Sequence, residues 1–149
     1  CQALNDTVSI FARIETEDGD SIIGVLDSVV VPLDPDMTRI YLSASDQNLV
    51  LEDENDVDSS FITAQLLDDN NCPIANGIID FGAENAGHIG PPQSDTTDQQ
   101  GFASAIFWIV GAEIYDDEIP YEVDATVVAR LRSYPEIEAT IDIHCLRLP

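Results

Sequence analysis

Residues 6–15 alternate without interruption, with Val8, Ile10, Ala12 and Ile14 on one side and Thr7, Ser9, Phe11 and Arg13 on the other. A period of two is that of a pleated segment with one face covered, so this stretch predicts a strand. The run at residues 15–20, ETEDGD, contains an Asp-Gly pair suited to a reversing turn. Beyond it Ile22, Ile23, Val25, Leu26, Val29, Val30 and Val31 resume the apolar pattern, so the two runs predict a β-hairpin. Pro32 and Pro35 then exclude a central strand and place a boundary, with residues 1–33 as a hairpin extension and residues 34–149 as the main domain.

The alternation returns at residues 38–45 and 48–51, which read as one strand broken near Asp46. It is clearest over residues 60–81, SFITAQLLDDNNCPIANGIIDF. Here Ile62, Ala64 and Leu66 oppose Phe61, Thr63, Gln65 and Leu67, a polar loop follows, and Ile78, Ile79 and Phe81 resume after Gly77. Strand, tight polar loop, strand is the simplest reading, since Asn, Asp, Pro and Gly supply the turn conformations. Residues 82–101 are rich in Gly, Pro, Asn and Asp and leave room for one short strand near His88 and Ile89. Residues 102–110, FASAIFWIV, form an apolar strand in which Trp108 is expected in the core. Residues 122–132 turn Val123, Ala125, Val127, Ala129 and Leu131 inward, and residues 137–146 do the same with Ile137, Ala139, Ile141, Ile143 and Cys145. Short strands at this spacing, with no helical period, predict an all-β sandwich.

Charge narrows the partners. The chain carries 29 acidic residues against five arginines and no lysine, for a net charge of −24 over 149 residues. Such a surface repels phosphate backbones and anionic lipids, which excludes nucleic-acid binding and polybasic membrane docking. With 44% hydrophobic residues the chain is foldable despite its charge. No stretch reaches the roughly 20 apolar residues of a spanning helix. Cys1 is where a bacterial lipoprotein would carry its lipid, and it is equally placed for a disulfide. Three cysteines, Cys1, Cys72 and Cys145, cannot all pair within one chain.

Two segments carry a family resemblance. ITAQLLDDNNCPIANGIIDF is similar to a strand, a D-x-x-G-N-P-[VI]-x-G loop and a strand, and TTDQQGFASAIF is similar to T-T-D-x-x-G-x-A-x-[AV]. Both resemble the bacterial immunoglobulin-like domains of invasin- and intimin-type surface proteins, over residues 38–149. Cys72 departs from the family loop, and the hairpin has no counterpart in a single module. The resemblance implies an immunoglobulin-like β-sandwich outside a bacterial cell with a structural or adhesive role, and it brings no catalytic residue.

The residues themselves offer no catalytic grammar. His88 and His144 lie far apart in sequence, with no nucleophile motif, zinc motif or phosphate loop beside them, so the chain reads as non-enzymatic. If strands alternate direction as in an immunoglobulin sandwich, Asp34, Asp36, Asp68, Asp69, Asp95 and Asp98 gather at one pole. Asp53, Asp56, Asp58, Asp116 and Asp117, with neighbouring glutamates, gather at the other. Each pole is a candidate Ca²⁺ site, because a hard cation prefers oxygen ligands. Cys72 and Cys145 fall at opposite ends of the module, roughly 30 Å apart at about 3.3 Å per residue, so they are expected to meet only between stacked copies.

Two functions follow. In the first, the chain is a self-assembling filament or adhesin subunit whose strand Val8, Ile10, Ala12, Ile14 adds to the open sheet edge of a second copy. In the second, it is a monomeric surface lipoprotein, anchored at Cys1, that binds a carbohydrate or a host protein through its loops.

Overall fold

The computed structural model describes residues 7–15, 21–30, 33–114 and 121–149, with 7–15 and 21–30 described by their backbone alone. Strands β1 (Thr7–Glu15) and β2 (Ser21–Val30) pair antiparallel, from Thr7 opposite Val30 to Glu15 opposite Ser21, and form a two-stranded sheet of their own. A short 3-10 turn at Pro35–Met37 leads into the sandwich, its Asp36 N–H held by Asp34 Oδ1 at 3.1 Å.

The sandwich has two sheets. One is ordered β3 (Thr38–Ala44), β5 (Val57–Asp68), β9 (Phe102–Val110), β7 (His88–Ile89). The other is ordered β4 (Asn48–Leu51), β11 (Tyr134–Arg147), β10 (Tyr121–Leu131), β6 (Ile78–Glu84), β8 (Ser94–Thr96). The predicted break near Asp46 is where the first strand changes sheets. β3 runs antiparallel to β5, and after residues 45–47 β4 runs parallel to the end of β11. Ser60, almost fully buried, fixes this crossing, because its hydroxyl donates to Asp46 O at 2.6 Å and accepts the Asp46 N–H at 3.1 Å.

The core lies between the sheets. Leu49, Leu51, Ile62, Leu66, Ile79, Phe107, Ile109, Val127, Leu131 and Ile143 are each at most 1% exposed. Burying a side chain of this size is worth about 1.5–3 kcal/mol, so the alternation read from the sequence is also the main source of stability. Trp108 departs from expectation. The buried pattern of β9 selects Ala103, Ala105, Phe107 and Ile109, and one step of parity turns Trp108 to the outer face. β8 was not anticipated either. Its three residues pair with β6 out of a loop that lacks an apolar alternation.

Among the described residues no helix is long and apolar enough to cross a membrane.

Candidate functional site

The acidic loops fall into two groups. Thr38 pairs with Asp68 and the Arg39 guanidinium donates to Asp69 O at 3.2 Å, which places the 34–36 and 68–69 segments together. The Leu66 N–H donates to Gly101 O at 2.8 Å and brings in the Asp98 turn. At the other end Val57 pairs with Val110, and the Gly111 N–H donates to Asp56 O at 2.9 Å. Asp95 sits on β8, where its Oδ2 accepts the Ser104 N–H at 2.8 Å.

What the carboxylates do at these ends is local. Asp98 Oδ1 accepts the N–H groups of Gln100 and Phe102, both at 2.9 Å, across a turn that Gly101 completes at φ +78. Asp53 Oδ1 accepts from Asn55 at 2.7 Å and Asp56 at 3.1 Å, and Asp56 Oδ2 accepts from Glu52 at 2.9 Å. Asp58 Oδ1 takes the Ser59 N–H at 2.8 Å. Short acidic side chains therefore satisfy backbone donors that the turns leave over. Among the described residues no three His, Cys, Asp or Glu side chains converge to hold a metal ion. Asp116 and Asp117 lie outside the described residues.

Cys72 and Cys145 do not stand where a bridge between copies requires them. Cys145 is fully buried in β11 and is a free thiol, its Sγ 3.6 Å from Ile143 O. Burial pushes its pKa up to about 11, with Asp58, Asp124 and Glu113 adding to the shift. Cys72 is 7% exposed and is not free. The expected meeting of Cys72 and Cys145 between stacked copies therefore fails on burial. Cys1 lies outside the described residues, as do the side chains of Val8, Ile10, Ala12 and Ile14, although the backbone of β1 is formed.

Two surfaces of the described residues bear on the sequence-based readings. The first is the set of sheet edges. β3 pairs with β5 on one side only, and the Tyr134–Ile143 half of β11 pairs with β10 alone, since β4 meets β11 only from His144 onward. Unpaired edges offer N–H and C=O groups to another strand. Leu42, Ala44, Ala139 and Ile141, partly buried on these two strands, pack against the rim of the core.

The second is a cleft of about 490 Å³ on the outer surface, lined by residues including Phe81, Gly82, His88, Gln93 and Trp108. The His88 and Trp108 rings lie 4.4 Å apart at 31°, and His88 Nε2 is 2.7 Å from Glu113 Oε1. Glu113 in turn accepts the Val110 N–H at 3.0 Å, so a hydrogen-bonded chain holds the aromatic pair to the end of β9. The sequence reading does not bring the two together, because it places Trp108 in the core and gives the short strand near His88 and Ile89 no partner. The pairing of His88 with Trp108 across β7 and β9 is the missing information.

No protein-family model matches the chain, and no curated protein matches it in sequence. Solved structures do. It is similar to a structure described as the D00-D0 domain of intimin, at 13% identity and a TM-score of 0.51, over 96% of this chain and 65% of that one. It is also similar to the D0-D1 domain of intimin, at 14% identity and a TM-score of 0.53, over 82% of this chain and 55% of that one. The chain thus spans about two thirds or less of the intimin structures it matches. At this identity the likeness is one of fold: the chain is an immunoglobulin-like β-sandwich similar in fold to these intimin domains.

Proposed function

We propose that the chain is a non-enzymatic adhesive or structural subunit outside a bacterial cell, joined head to tail to further copies through its N-terminal strands. The observation that carries this reading is the separate sheet of β1 and β2, which is hydrogen-bonded to neither sheet of the sandwich. A lone two-stranded hairpin is at best marginal in water, so it gains most from an acceptor. The outer edge of β3, which lies close to β11 without pairing to it, is an acceptor of similar length once the two strands part: seven residues against the nine of β1. Addition of β1 of one copy to β3 of the next repeats without closing and yields a filament. In such a filament a divalent cation would act between copies, where the acidic end of one meets its neighbour.

Electron microscopy and sedimentation of the full chain across ionic strength test the proposal. Filaments that lengthen with salt are expected. A monodisperse monomer at every salt and protein concentration overturns it.

The cleft beside Trp108 supports a second reading, a monomeric adhesin that takes a small glycan. Its volume falls in the range of ligand pockets, and an aromatic ring with a neighbouring His and Gln suits a sugar. Glycan binding that Trp108→Ala removes, by a chain that stays monomeric, would select it.

A further inference from the structure

The two outer faces of the sandwich differ in charge. On the β4–β11–β10–β6–β8 face, ion pairs cross the strands from Arg130 to Glu138 at 2.8 Å and from Arg132 to Asp80 at 2.6 Å, and His144 Nδ1 lies 2.8 Å from Asp124 Oδ1. On the β3–β5–β9–β7 face no outward position of β3, β5 or β9 carries a carboxylate, and Asp95 of β8, which reaches the rim beside Phe61 and Ile106, has its Oδ2 engaged by the Ser104 N–H at 2.8 Å. That is unexpected for a chain with 29 acidic residues.

The face is ordered in rows. Tyr41, Gln65 and Phe102 are aligned across three strands, Ser43, Thr63 and Ser104 form the next outward row, and Phe61 opposite Ile106 forms the third. Tyr41, Phe61, Phe102 and Ile106 are between 40 and 51% exposed.

We infer that this face packs against the same face of a second copy. An uncharged partner is not confined to this surface by electrostatics, but an identical acidic copy is, since elsewhere carboxylates would oppose carboxylates. The row order is self-complementary. A two-fold axis along Ser43, Thr63 and Ser104 lays Phe102 of one copy over Ile106 of the other and Phe61 over Gln65, with Thr63 meeting Thr63. Three strands about 4.8 Å apart and about eight residues long bury on the order of 1,000 Å² over two copies. That is the lower margin of specific interfaces, so the dimer is weak and strengthened by salt. This pairing is lateral and uses no strand edge, so it is independent of the head-to-tail reading.

Sedimentation equilibrium of the full chain in about 1 M NaCl, where the Debye length is about 3 Å, is expected to show a reversible monomer–dimer component. Phe61→Asp and Ile106→Asp each weaken it at least about tenfold without lowering the melting temperature, because both side chains are half exposed. Ala12→Pro, which damages β1, leaves it unchanged. Mild oxidation of Thr63→Cys gives a covalent dimer faster than oxidation of Thr140→Cys on the opposite face. Equal rates for the two cysteines, no dependence on Phe61→Asp, or a monomer throughout overturns the inference. Retention of a monomeric chain on a neutral polysaccharide, abolished by Phe61→Asp, assigns the face to a glycan and also overturns it.

Discussion

Asp68 Oδ1 accepts the backbone N–H of Cys72 at 2.8 Å and that of Asn70 at 2.9 Å, so one buried carboxylate closes the loop between β5 and β6. The Asp68 N–H donates to Cys72 O at 2.9 Å, and the same two residues are tied twice. Asp68→Ala leaves two donors without their acceptor, one of them buried, and is expected to destabilise the domain by roughly 2 kcal/mol. Asp68→Asn keeps an acceptor oxygen and should cost about half as much. Urea unfolding of both variants checks the order, and equal losses would remove the hydrogen bonds as the cause.

Gly111 marks the other end. A Cβ there would overlap the carbonyl of Asp53, a backbone atom that cannot swing aside. Gly111→Ala is therefore expected to cost about 2–4 kcal/mol, more than the roughly 1 kcal/mol attached to flexibility alone. Thermal melting reads it. A loss below about 1 kcal/mol would mean that the 52–56 loop moves freely away.

The Cys145 thiol makes a pH prediction. Its folded pKa, about 11, lies above the ordinary thiol value of 9.0, because burial disfavours the thiolate and the nearby Asp58, Asp124 and Glu113 add to the effect. Below pH 9 both states hold the proton and stability is unaffected by this group. As pH rises from about 9 to 11 the unfolded chain ionises first, so the folded state loses stability across that window. Cys145→Ser removes this slope, at the separate cost of a buried hydroxyl. In the native protein at neutral pH, Cys145 should resist alkylation until denaturant is added.

Head-to-tail assembly is expected to fail in Ala12→Pro, since proline removes a ladder donor from β1, while the melting of the sandwich stays unchanged. Sedimentation velocity beside circular dichroism separates the two readouts. Raising NaCl should favour assembly by screening a charge of −24 on each copy.

Calcium tests the acidic ends. At equal ionic strength Ca²⁺ is expected to promote assembly more than Na⁺ and to leave the melting temperature of the dilute monomer unchanged. Within one copy the described carboxylates bind their own loops and do not converge. A raised melting temperature in the dilute monomer would place a cation site inside a single chain.

Much of the fold was legible because burial in a sandwich follows a period of two. The inward sets at Ile62, Ala64 and Leu66 and at Ala125, Val127, Ala129 and Leu131 could be read from alternation, as could the break near Asp46, though not that the chain changes sheets there. Trp108 could not. FASAIFWIV is apolar at nearly every position, so either parity fits the sequence, and the space opposite β9 selects Phe107 for the core. The cleft depends on that choice and on His88, which is joined to Trp108 by pairing across β7 and β9.

The sequence by itself determined an all-β chain, the parity of its clearest strands, an acidic surface and two groups of acidic loops. These follow from local composition and from alternation, both of which act within a few residues. The tertiary structure alone decided that the carboxylates fasten turns, that Cys145 is sealed in the core, and that the outward positions of β3, β5 and β9 carry no carboxylate while the other face carries cross-strand ion pairs. Each depends on which residues distant in sequence become neighbours, and strand register sets that.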